Sequence, residues 1–141
     1  MAAFTKFQQF PEDLAHGVHN LGSDQISVVL CNAANAPSVS ADAVLADLTT
    51  VSTANLTGAT PLDVATASSG QTAGDYALVL TDLLLTCGAG GCGPFRYVVV
   101  YNNTPTSPAN PLIGYIDYGG EITLADTETL LIDFAATAIT L

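Results

Sequence analysis

The stretch Phe95-Arg96-Tyr97-Val98-Val99-Val100-Tyr101 decides the class of fold. Phe95, Tyr97, Val99 and Tyr101 alternate with Arg96, Val98 and Val100, a period of two in which successive side chains leave a strand on opposite faces. Aromatic and β-branched residues fill every position but one, the composition of a pleated, covered surface. Both alternating sets are apolar apart from Arg96, so the strand belongs inside a sheet that is packed on two sides. A lone guanidinium in such a strand calls for a carboxylate partner, within the chain or across a subunit boundary.

The same period recurs on both sides of this stretch. Residues 25–32 set Ile26, Val28 and Leu30 against Ser27, Val29 and Cys31, a second interior strand. Residues 75–86 carry Tyr76, Leu78 and Leu80 in alternation and then Leu83-Leu84-Leu85. Residues 87–93 are a glycine-rich turn, and residues 102–110 a loop punctuated by Pro105 and Pro108. Residues 112–118 read as a strand, Gly119-Gly120 as a two-residue hairpin turn into residues 121–124, and residues 128–134 and 137–141 as further strands. Residues 43–48 suit a short strand or a helical turn. Residues 49–73, rich in Thr, Ala, Ser and Gly, read as an extended surface loop holding one short strand at 62–66. Ahead of all this, Phe4, Phe7, Leu14 and Val18 share one helical face. Pro11-Glu12-Asp13 makes a suitable first turn, which predicts a helix over 11–20 preceded by a separate turn from residue 3 and stopped at Gly22.

One helix followed by seven or eight short strands predicts a mainly β protein: an antiparallel β-sandwich or small barrel with one N-terminal α-helix. The 141 residues suit a single domain over 1–141, with an arm and helix at 1–22 and a β body at 23–141.

Charge narrows the function. Lys6 and Arg96 stand against thirteen acidic residues, a formal charge of -11. Nucleic-acid binding needs several cations to neutralise phosphates, and an anionic membrane surface needs them too. No apolar run approaches the roughly 18 residues of a membrane span, and residues 1–11 lack the apolar centre of a signal peptide. Yet the chain is 49% hydrophobic, so it buries a core and is not a disordered acidic tail. Alanine, threonine and scattered carboxylates are left to cover the outside. Lysine, a common guard of sheet edges, is nearly missing. Such an exterior suits a protein whose surface is committed to neighbours, or one adapted to salt.

Catalytic and metal chemistry finds little support in the residue pattern. His16 and His19 are the only histidines, with no Gly-x-Ser-x-Gly elbow to serve them and no third metal ligand in view. The carboxylates are scattered, and none nominates an acid/base pair. Gly88, Gly90, Gly91 and Gly93 are followed by a strand rather than a Lys-Ser/Thr and a helix, so they do not form a phosphate loop. The expectations are therefore no catalytic residues, no metal, no cofactor and no small-molecule substrate. Cys31 reads as a small buried hydrophobe. Cys87 and Cys92 bracket the glycine turn and are either free thiols or a loop-closing disulfide. Tyr97, Tyr101, Tyr115 and Tyr118 lie on neighbouring strands, at the edge of a core or as an aromatic platform for carbohydrate.

Three segments taken together resemble a known family. Phe4-Thr5-Lys6-Phe7 with Val18-His19-Asn20-Leu21-Gly22-Ser23-Asp24, Gly93-Pro94-Phe95-Arg96-Tyr97-Val98-Val99, and Pro111-Leu112-Ile113-Gly114-Tyr115-Ile116-Asp117-Tyr118-Gly119 are similar, in order and over nearly the whole chain, to small structural proteins of tailed double-stranded-DNA bacteriophages. The cysteine pair and Pro11 depart from that family's pattern. The resemblance implies a virion protein, foremost a capsid decoration or cement protein on the outer surface of the head. Its partners would be the major capsid protein and further copies of itself as a homotrimer. A tail, neck or tail-tip component and a carbohydrate-binding adhesin are the alternatives. Phe4, Phe7 and Phe10 are then candidates for an aromatic anchoring arm, or else cap the protein's own sandwich, and Arg96 is a candidate interface residue.

Overall fold

The structure, a computed structural model, describes residues 4–57, 62–134 and 139–141. In chain order its elements are β1 (Phe4–Lys6), α1 (Gln9–Ala15), β2 (Ile26–Cys31), 3-10 turns at Ala33–Asn35 and Leu45–Asp47, β3 (Leu62–Val64), β4 (Thr66–Thr72), β5 (Asp75–Leu80), β6 (Leu83–Thr86), β7 (Cys92–Asn102), β8 (Leu112–Leu124), β9 (Thr129–Ile132) and β10 (Ile139–Thr140). The protein is mainly β, with one α-helix, and its strand pairs are antiparallel.

The deciding stretch lies in β7, the middle strand of a five-stranded sheet ordered β1-β8-β7-β2-β3. A three-stranded sheet, β10-β5-β4, and a two-stranded ribbon, β6-β9, complete the architecture. The even positions of β2 and β7, Ile26, Val28, Leu30, Val98 and Val100, share one core with Leu78 and Leu80 of β5, Leu85 of β6, Ile132 of β9 and Phe10 of α1. That sheet-on-sheet packing is a sandwich-like arrangement. From Tyr97 onward the odd positions of β7 fill a second cluster on the opposite face, where Cys31, Tyr97, Val99, Tyr101, Leu112 and Phe7 lie under Leu45 and Leu48. Phe95, beyond the irregularity between Phe95 and Tyr97, turns into the first core instead of continuing the expected alternation. The segment carrying those two leucines is tied down by Val51 N–H to Leu30 O at 2.7 Å and Leu112 N–H to Ala43 O at 2.9 Å. The Asp47 carboxylate fixes its 3-10 turn by accepting from the Ala43 and Val44 amides at 2.9 and 3.1 Å. An interior strand covered on both faces is what the two apolar sets of β7 require.

Several local expectations are corrected. The helix is shorter than 11–20. It ends in a Schellman motif at Gly17 (φ 75°), with Val18 N–H bonded to Asp13 O and Gly17 N–H to Leu14 O, so Gly17 and not Gly22 is the stop. Phe4 lies on a strand instead of a helical face or turn, pairing with Ile116 at the sheet edge. Gly119-Gly120 does not reverse the chain. β8 continues through it, and the step from Phe95 to Tyr97 on β7 is matched by the step from Ile122 to Asp117 on β8. The extra residues bulge outward at Gly119, φ 79°. Residues 66–72, expected as loop, form β4, paired with β5 from Thr66↔Leu80 to Thr72↔Asp75. Of the expected strand 137–141, positions 137 and 138 lie outside the described residues.

Candidate interaction surface and buried polar cluster

The three phenylalanines do not form an arm. Phe7 and Phe10 are 1% and 0% exposed, Phe7 in the cluster under Leu45 and Leu48 and Phe10 in the main core. Only Phe4 keeps partial exposure, at the edge of that core. Burying a benzyl side chain is worth several kcal/mol to the chain's own fold, so Phe7 and Phe10 are corrected from anchor candidates to core residues.

Arg96 finds its carboxylate inside the chain. Its guanidinium donates to both Asp117 oxygens, Nε to Oδ1 at 2.8 Å and Nη2 to Oδ2 at 3.1 Å, and lies 5.2 Å from the Tyr97 ring centroid. The hydrogen bonds from Arg96, and then from the Gly119 amide, hold the Asp117 carboxyl below the usual carboxylate range. The bulge at Gly119 is what presents that amide, 2.7 Å from Oδ1. Tyr97 packs edge-on against Tyr115, and Tyr115 against Phe7, at 5.8 and 5.6 Å. Tyr97 and Tyr101 are buried, so they do not contribute to an exposed aromatic platform.

Cys87 and Cys92 are joined, with Cα atoms 5.9 Å apart across the glycine turn. Cys31 is fully buried, and burial, with the Asp42 charge, pushes its thiol up to about 11, which leaves it protonated and unreactive.

No local sequence signal marks the polar cluster formed where the loop after α1 meets the end of β7. Asn102 donates from Nδ2 to Asp24 Oδ2 at 2.6 Å and lies 3.1 Å from His19 Nδ1, while its Oδ1 accepts from the Thr104 amide. That orientation makes His19 Nδ1 an acceptor and places the proton of the neutral ring on Nε2. Burial lowers the His19 pKa, against the opposing pull of Asp13 and Asp24. His19 Nε2 and Asp13 Oδ2 are buried with no hydrogen-bond partner. Phe10 meets the imidazole edge-on at 5.1 Å. Beside it lies a groove of about 500 Å³ bounded by Leu14, Leu21, Tyr76 and Leu141. Among the described residues no three His, Cys, Asp or Glu side chains are placed to hold a metal ion, and no helix is long and apolar enough to cross a membrane.

Among the described residues, two of the exposed large apolar side chains are set together by the strand register. Leu84 and Leu131 are directly opposed across the β6–β9 ribbon and are 57% and 51% exposed. Their neighbours Leu83, Leu85, Leu130 and Ile132 point inward to the core. Sequence reading identified both apolar runs as strands. It missed their exposure, because a strand that is apolar on both faces looks the same in a two-stranded ribbon as in the middle of a sandwich. No protein-family model, curated protein or solved structure matches this chain.

Proposed function

We propose that the protein is a structural subunit of a tailed-bacteriophage virion, a decoration protein that binds the outer surface of the head and stabilises the capsid lattice, as a homotrimer in contact with the major capsid protein. The observation that carries this reading is how the polar groups of the body are used. Ser27 is bonded to Asp63, Arg96 to Asp117, and Asn102 to His19 and Asp24. The central sheet is packed on both faces. A body whose polar side chains are engaged with one another in this way, His19 Nε2 and Asp13 Oδ2 apart, works through its exterior, and that exterior is acidic and nearly lysine-free. The segments that resemble phage structural proteins supply β1, β7 and β8, three adjacent strands of the main sheet.

Physically, a standard interface buries about 1,200–2,000 Å². Repeated over a lattice of identical sites, contacts of modest individual affinity add up through avidity. A strongly acidic body is also kept off packaged DNA by like charge. Reconstruction of the particle with this chain traced tests the reading. Hundreds of copies in threefold clusters on the head are expected. A few copies in a ring at the tail or neck would replace it with the tail-component reading, and absence from purified particles would overturn both.

A further inference from the structure

We infer that the outward face of the β6–β9 ribbon is a docking site for a basic protein segment, one that presents aliphatic side chains bracketed by Lys or Arg. This goes beyond the virion reading and stands on the surface alone. Along β6 the outward positions are Leu84 and Thr86, and along β9 they are Thr129 and Leu131, with Leu84 opposite Leu131 and Thr86 opposite Thr129. The alternation carries one step further to Asp82 and Asp133, both exposed, at the end of the ladder. Asp82 is held there because its Oδ1 accepts from the Phe134 amide at 3.0 Å. Asp133 lies close enough to Tyr118 that its charge helps burial to raise the phenol's pKa.

The face is therefore an exposed leucine pair with two exposed carboxylates just beyond one end of the ladder. Two large apolar side chains left in water carry a cost, and the neighbouring charge is negative. A single occupant answers both, by covering the leucines and placing a cation near Asp82 and Asp133. A second copy of this chain is disfavoured by charge as that occupant. It brings eleven further net negative charges and only Lys6 and Arg96 as cations, and the Arg96 guanidinium is already engaged by Asp117. The partner is a different, basic surface.

Three peptides serve as probes: alternating Leu-Lys, the same length of alternating Ser-Lys, and alternating Leu-Glu. Their binding is followed by amide chemical shifts of the full chain and by titration. The Leu-Lys peptide is expected to shift residues 82–86 and 129–133 and to bind ~10-fold or more tightly than Ser-Lys, with Leu-Glu inert. Leu84→Ser with Leu131→Ser is expected to remove that margin. Asp82→Asn with Asp133→Asn is expected to weaken Leu-Lys binding and its salt dependence. Both leucines are exposed, so the folded spectrum elsewhere serves as the control for structure. Equal binding of Leu-Lys and Ser-Lys, shifts elsewhere on the surface, or an unchanged affinity in the double leucine variant would each overturn the site. A loss of self-association in the double leucine variant, read by light scattering, would also overturn it, by making a second copy the occupant.

Discussion

His19 has its chemistry fixed by its neighbours. Its Nδ1 faces the Asn102 amide, its ring is buried against Phe10, and its pKa is pushed below the ordinary 6.5 by burial. The consequence for stability follows from proton linkage. The unfolded chain takes up a proton on this imidazole as pH falls through 6.5, whereas the native chain resists until its own lower value is reached. Stability contributed by the neutral ring is thus complete above 6.5 and declines below it. Asp47 and Asp117 work in the same sense but in a more acidic range. Their native values are depressed below 3.8, chiefly by backbone amides at Asp47 and by Arg96 at Asp117, so their contribution is lost only in acid. A falling urea midpoint between about pH 7.5 and 5.5 is therefore expected to trace to His19. His19→Gln should flatten that slope, while His16→Gln, at an exposed position, should leave it in place. A slope that survives in His19→Gln would show that the imidazole is not its source. Nothing in the local sequence announces this cluster, because Asn102 stands 83 residues from His19 and 78 from Asp24.

At the scale of the element, β1 shows how a short edge strand is specified. Its register sets Lys6 opposite Gly114, and a Cβ at Gly114 would come within 2.5 Å of the Phe4 ring and of Thr5 O. The ring could turn aside, but the backbone oxygen cannot without moving the strand. Gly114→Ala is accordingly expected to lower stability by about 1–3 kcal/mol and to expose the β1 amides to hydrogen exchange. Gly120→Ala, where a Cβ meets nothing within 4 Å, should stay within about 0.5 kcal/mol. Equal unfolding midpoints for the two variants would count against this account of β1. The strands that sequence reading found, among them β2, β5, β6, β7, the first half of β8 and β9, are those whose apolar pattern is enforced by core on at least one face. β4 escaped it because residues 66–72 are almost wholly exposed. Their place is fixed by the ladder to β5, which leaves no hydrophobic alternation to read. The Gly119-Gly120 pair was misread because a hairpin and a bulge ask for the same local chemistry, a residue with positive φ. Only the long-range pairing of Ile122 with Phe95 distinguishes the two. Phe7 and Phe10 were legible as aromatic and periodic, but periodicity does not say whether the face it defines packs inward or is presented to a partner.

For the whole molecule the governing quantity is its net charge of -11. Two copies approaching one another repel, and the repulsion is long-ranged at low ionic strength, with a screening length of about 10 Å at 0.1 M salt and about 3 Å at 1 M. Binding to a basic partner carries the opposite sign, since added salt screens an attraction. The two associations proposed for this protein are thus separable by salt alone. Assembly of copies into a trimer should strengthen as salt is added, and capture of a Leu-Lys segment on the β6–β9 face should weaken. Light scattering across roughly 0.05 to 1 M salt reads the first, and peptide titration over the same range reads the second. A mass that stays at one chain at every salt and at high protein concentration would rule out the homotrimer in solution. Peptide affinity that holds or rises with salt would mean that Asp82 and Asp133 play no part in it. Because Leu84 and Leu131 are assigned to the basic partner, their replacement by serine should leave the self-association curve where it was, so that one variant and one salt series tell the two surfaces apart.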